Sequence, residues 1–165
     1  MFAHFNANEI LEIACQIERN GAAFYRAAAE LASLSDVADI LLDLAHMEDG
    51  HEQTFLRMKS QSSQSSANVP DPDETAIAYL SAIAGNHVFT AGTHAVDQFR
   101  PDTTAQEVLK LALQAEFAAI AFFQGLLEFM PTHLGPERLK AIIREEQEHV
   151  VLLSRQLRAL QTPAD

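Results

Sequence analysis

Four long stretches of the chain repeat apolar residues at helical spacing, and each places a glutamate at the middle of its apolar stripe. The stripes read Leu11, Ala14, Glu18, Ala22, Tyr25, Ala29; then Leu41, Leu44, Glu48, His51, Phe55, Met58; then Leu109, Leu113, Glu116, Ile120, Phe123, Leu127; and last Leu139, Ile142, Glu146, His149, Leu153, Leu157. A helix that buries such a stripe buries its carboxylate too, and an isolated ionised carboxylate is very costly to take out of water. The four helices must therefore face one another, and the acids they carry must either take up protons or meet something positive.

The helical periods run over about 7–33, 36–59, 104–130 and 136–160, with no competing strand pattern. Asn6 and Glu9 have capping-box spacing for the first helix, and Ser35 or Asp36 can cap the second. Thr103–Gln106 or Thr104–Glu107 offers a capping box for the third, and Pro136 suits the first turn of the fourth. Between the second and third long helices, residues 60–103 form a linker that opens with the serine-, glutamine- and proline-containing run KSQSSQSSANVPDPDE. A shorter helix at about 73–84 places Ala76, Ile77, Leu80, Ile83 and Ala84 on one face. Short, long and short connections among four helices predict an all-α fold: a four-helix bundle with one long crossover connection carrying a short extra helix, as in ferritin-like folds. A chain of 165 residues suits a single domain over 1–165.

A formal net charge of −12 argues against nucleic acid or anionic membrane surfaces as partners, and leaves a metal cation as a natural one. The single cysteine, Cys15, allows neither an internal disulfide nor a Cys-x-x-Cys metal pair, and reads as a small buried residue. No secretory leader is visible at the N-terminus and no stretch approaches a membrane span, so the expected compartment is the cytoplasm.

Two of the stripes add a histidine three residues after the glutamate, on the same helical face: Glu48 with His51, and Glu146 with His149. Four buried carboxylates would repel one another, but two divalent cations cancel their charge. Oxygen and imidazole donors together suit iron or manganese, with zinc as a further option. The stripes thus predict a dinuclear metal site.

The segments QIERNGAAFY, HMEDGHEQTF, LQAEFAAIAFF and IREEQEHVVLL together resemble the ferritin-like di-iron carboxylate proteins, most closely the rubrerythrin-like branch. The resemblance spans the four long helices. It implies six ligands, Glu18, Glu48, His51, Glu116, Glu146 and His149, around two iron ions, with Glu48 and Glu146 bridging and one histidine on each metal. Manganese or a mixed pair is compatible with the same donors. It also implies that Tyr25, seven residues after Glu18, stands behind the ligands and donates a hydrogen bond to a carboxylate or relays an electron; the matching place after Glu116 is Phe123. Two departures stand out. Such proteins carry a further glutamate three residues past the third-helix ligand, where this chain has Ala119, which argues against redox-coupled movement of an iron. They also commonly carry a four-cysteine iron domain, absent here, so electrons would come from an external donor or from Fe²⁺ itself.

The resemblance implies an oxidoreductase that reduces hydrogen peroxide or O₂ in oxidative-stress defence; the alternative is a ferroxidase that oxidises Fe²⁺ without sustained turnover. The alanine-rich first helix and the long crossover suit a homodimer. Of the remaining candidates, His46 falls on the outer side of its helix, and Glu145 or Glu148 could replace a ligand if the fourth helix were rotated. His87 and His94 could share a face, and Phe117, Phe122, Phe123 and Phe129 suit packing, an interface or a narrowed route to the metals. Gly50 lies off the ligand stripe, where it would permit close helix packing or relieve crowding beside the metals.

Overall fold

The structure, a computed structural model, describes residues 7–64, 74–86, 99–100, 102–130 and 132–161. Its helices are α1 (Ala7–Ala29), α2 (Ala38–Gln64), α3 (Glu74–Asn86), α4 (Ala105–Phe129) and α5 (Pro136–Ala159). The order and number match the sequence periods, and the boundaries differ where the apolar pattern carries no stop signal. α1 ends before residue 33 because the chain turns into a 3-10 segment, Ala32–Val37, that brings Leu34 into the core. That segment feeds directly into α2, so neither Ser35 nor Asp36 stands at its start. α2 runs past the expected end at 59 to Gln64, because serine and glutamine weaken a helix without breaking it and no glycine or proline intervenes. Asn6, and with it the capping box proposed for α1, lies outside the described residues.

α4 starts from a complete capping box: the Thr104 hydroxyl accepts from the Glu107 backbone N–H, and the Glu107 carboxylate accepts from the Thr104 N–H. This satisfies two backbone donors that a helix start otherwise leaves open. α5 starts with Pro136 in its first turn, preceded by Gly135 at φ 76, a left-handed conformation that favours glycine.

Cross-helix pairs fix the directions. On α1 and α2, Glu12 pairs with Lys59, Arg19 with Glu52 at 2.6 Å, and Arg26 with Asp49, so numbers rise on one helix as they fall on the other. The helices are antiparallel. Exposed pairs of this kind contribute little energy each, about 0–1 kcal/mol, but they favour one register over its neighbours. The core divides into two apolar clusters. One joins Leu11, Phe55, Leu80, Phe122 and Ile142. The other joins Tyr25, Leu34, Leu44, Leu109 and Leu153. Met58 near the end of α2 lies in the first cluster, whereas Val108 at the start of α4 lies in the second. The link between them must therefore travel the length of the bundle, with Leu80 of α3 packed at one end and Phe99 against Phe24 at the other. His87 and His94 lie outside the described residues.

Gly125 of α4 is where α3 comes closest. A Cβ there would sit 2.8 Å from a Tyr79 ring carbon and 3.0 Å from Leu80 Cδ2, so only glycine lets the two helices meet. Gly125→Leu is expected to cost about 1–3 kcal/mol through overpacking and to loosen α3. A lower urea midpoint together with new protease cleavage within 74–86 checks this.

One expectation is corrected. Ala105–Glu128 does reach the length and apolarity of a membrane span, with half of that window buried in the bundle. It is apolar because three neighbours cover it, and for the same reason the inward stripe drawn on it was off: Leu113, Ile120 and Leu127 are half-buried, while Ala112, Ala115, Ala119, Phe122 and Leu126 are buried. An all-round apolar helix does not announce which side faces in.

Candidate metal centre

Between the two apolar clusters lies one polar layer. Glu18, Glu48, His51, Glu116, Glu146 and His149 are each at most 4% exposed, and they are the buried polar and charged residues among those described. Each long helix contributes at the same height because each carries its glutamate at the centre of its stripe. The histidines follow one helical turn later on α2 and α5, on the face of their own glutamates.

The six side chains form two overlapping groups. Glu18, Glu48, His51 and Glu146 can bring one donor atom each to within 4.8 Å of one another, and so can Glu48, Glu116, Glu146 and His149. Glu48 and Glu146 belong to both. His51 Nδ1 lies 2.9 Å from Glu146 Oε1, and His149 Nδ1 lies 2.9 Å from Glu146 Oε2 and 3.3 Å from Glu48 Oε1. The two imidazoles face each other across the layer, centroids 5.9 Å apart and 23° from parallel.

These close approaches are poorly directed. Glu18 Oε1, both Glu146 oxygens, His51 Nδ1 and both His149 nitrogens are buried without a hydrogen-bond partner among the described residues. Buried polar atoms almost always have partners. Donor atoms converging on a common space, with imidazole and carboxylate as their chemistries, fit metal cations as the missing partners.

Without metal, the six groups shift one another's protonation. Burial and the charges of Glu48 and Glu146 push the Glu18 carboxyl well up, and burial with Glu146 and Glu48 does the same for Glu116. Burial would raise Glu48 as well, but the neighbouring Glu18, His149 and His51 hold it well below the usual carboxylate range. Glu146 is likewise lowered, its own burial and the Glu48 charge being outweighed by His149, His51 and Glu116. Burial would lower both histidines, yet the surrounding glutamates push His51 far up and His149 up to about 12. In the metal-free layer the upward shifts of Glu18 and Glu116 favour their protonated forms, the downward shifts of Glu48 and Glu146 favour carboxylates, and the upward shifts of both histidines favour imidazolium.

Tyr25 sits behind this layer, fully buried, and its hydroxyl donates to Glu116 Oε1. Burial and the Glu116 charge push the phenol well above its ordinary range, so it stays a neutral donor. On the other half of the site, Glu145 touches the far side of a ligand: its Oε2 is 2.8 Å from His51 Nε2, while Nδ1 faces the carboxylates. Glu145 therefore does not replace Glu146 by helix rotation; it contacts the ring edge that points away from the cluster. The sequence pointed to the wrong role because spacing along α5 cannot say that α2 lies on that flank. His46 and Glu148 are exposed, as is Phe117, whereas Phe122 and Phe123 are buried in the core.

Gly50 does neither of the things its position suggested. A Cβ there would meet nothing within 4 Å, so no packing or crowding requires glycine. Gly50→Ala is expected to stabilise α2 by about 1 kcal/mol. A rise of about 2–4 °C in Tm, with metal binding unchanged, would verify it.

Residues 9–86 match the family model described as Rubrerythrin, a stretch that carries Glu18, Glu48 and His51. The fold is similar to a solved structure from Thermotoga maritima provisionally described as a ferritin-like diiron-carboxylate protein, with a TM-score of 0.71 and 23% identity, covering 96% of this chain and 98% of that one. No curated protein matches the chain. Over residues 9–86 the chain is thus similar to the Rubrerythrin family, and its all-α fold is that of the solved ferritin-like structure.

Proposed function

We propose that this chain is a non-haem di-iron redox protein that reduces hydrogen peroxide or O₂, an oxidative-stress role. The observation that carries this reading is the pair of buried donor groups sharing Glu48 and Glu146. Glu18, Glu48, His51 and Glu146 would hold one iron, and Glu48, Glu116, Glu146 and His149 the other. Two Fe²⁺ held there would supply two electrons and Lewis acidity toward the oxidant's departing oxygen; manganese suits the same donors.

The chain's own residues do the rest. The apolar clusters above and below the layer keep bulk water out, so that only a small oxidant fits between the ligands. The Tyr25 hydroxyl holds Glu116 in place as a neutral donor. Converting peroxide to two waters consumes two electrons and two protons. An external donor would return the electrons for each cycle. The same reading carries a homodimer, in which the exposed Phe117 is an apolar side chain a second copy would cover, and a cytoplasmic setting.

Protein loaded anaerobically with Fe²⁺ and given excess reductant tests the activity. Sustained turnover of peroxide, or of O₂, supports the enzyme. A single round of oxidation that leaves Fe³⁺ on the protein would replace it with the ferroxidase alternative.

A further inference from the structure

The two halves of the centre are not equivalent. His51 Nε2 meets Glu145 Oε2 at 2.8 Å, whereas His149 Nε2 is buried with no hydrogen-bond partner among the described residues. A carboxylate on the outer nitrogen of a ligating imidazole fixes which nitrogen carries the proton, holds the ring in orientation and makes the inner nitrogen a better donor. Among the described residues nothing comparable backs His149. The Glu145 side chain is 46% exposed and faces a groove of about 470 Å³ between α2 and α5, lined also by Met47, Gly50, Arg57 and Arg138. Its removal would therefore admit water rather than open a void in the core.

We propose that Glu145 is a positioning residue for His51: it holds Nε2–H outward and Nδ1 toward the carboxylates, and makes the His51 half the tighter of two unequal metal positions. This rests on the dinuclear reading above. The loss of such an outer partner typically weakens metal binding about 10–100-fold, here at one position only. The amide oxygen of Glu145→Gln can still accept the Nε2–H, so that variant should recover most of the affinity, while Glu145→Ala should not.

Anaerobic calorimetric titration with Zn²⁺ alone, joined to ¹⁵N NMR of the histidine side chains in the Zn²⁺-loaded protein, tests this. The expected result is two binding steps in the unmodified protein, with the tighter one weakened 10–100-fold in Glu145→Ala and largely restored in Glu145→Gln. The His51 Nε2–H signal should disappear through solvent exchange in Glu145→Ala, with the His149 signals unmoved. Equal affinities in the unmodified protein, unchanged titrations in Glu145→Ala, or equal weakening of both steps with a fallen Tm would each overturn the proposal. If the unmodified protein binds no Zn²⁺, the dinuclear reading fails first and takes this inference with it.

Discussion

Replacing Glu48 with alanine is expected to cost the protein both metal ions, not one. Glu48 belongs to both donor groups, as does Glu146, whereas Glu18 and Glu116 each belong to one. Losing even an outer-shell partner lowers metal affinity about 10–100-fold, so losing a shared inner carboxylate should cost at least about a hundredfold at each position. Glu18→Ala and Glu116→Ala should instead leave one ion bound. The charge balance adds a second effect. Glu48 is one of two carboxylates that compensate the His51 and His149 imidazoliums in the metal-free layer. Its removal takes a negative neighbour from both histidines, so the metal-free variant should also melt at a lower temperature. Metal stoichiometry by inductively coupled plasma spectrometry, beside Tm of the metal-free variants, checks both. Retention of one ion by Glu48→Ala would show that the carboxylate is not shared.

Loading the centre with divalent ions should release protons. The groups that give them up are Glu18 and Glu116, raised by burial and their charged neighbours, and His51 and His149, raised by the surrounding glutamates against the opposing effect of burial. Metal binding requires ionised carboxylates and neutral imidazoles. The ions therefore replace protons. The sign follows directly: affinity rises with pH, by roughly a hundredfold per pH unit for each ion where two protons leave with it. Titration calorimetry in buffers of different ionisation enthalpy counts the protons. No net release would mean that the metal-free site already holds four carboxylates and two neutral imidazoles, contrary to the upward shifts of Glu18, Glu116, His51 and His149.

The elements most legible in the sequence were those with a sharp physical cost behind them. A glutamate in an apolar stripe is costly enough to be a signal, and the four such glutamates, with the two histidines a turn beyond two of them, are buried together. The Thr104–Glu107 box and Pro136 marked helix starts because each satisfies or removes a backbone donor. Tyr25 came from resemblance alone, and its hydroxyl does meet a carboxylate, Glu116. Less legible were features decided by a neighbouring helix. The end of α2 at Gln64 depends on nothing stopping it, the inward face of α4 on three neighbours at once, and the role of Glu145 on α2 lying alongside. Gly50 misled because glycine within a helix suggests a contact, and here the surrounding space is open.

The central claim is that four helices hold two metal ions between Glu48 and Glu146. Crystals of the protein loaded anaerobically with Fe²⁺, measured with X-rays above and below the iron absorption edge, test it most directly. The account predicts two anomalous peaks within the buried layer, one on the His51 side and one on the His149 side. A single surface peak, or none in the layer, would contradict it and leave a helical bundle whose buried acids are held by protons alone.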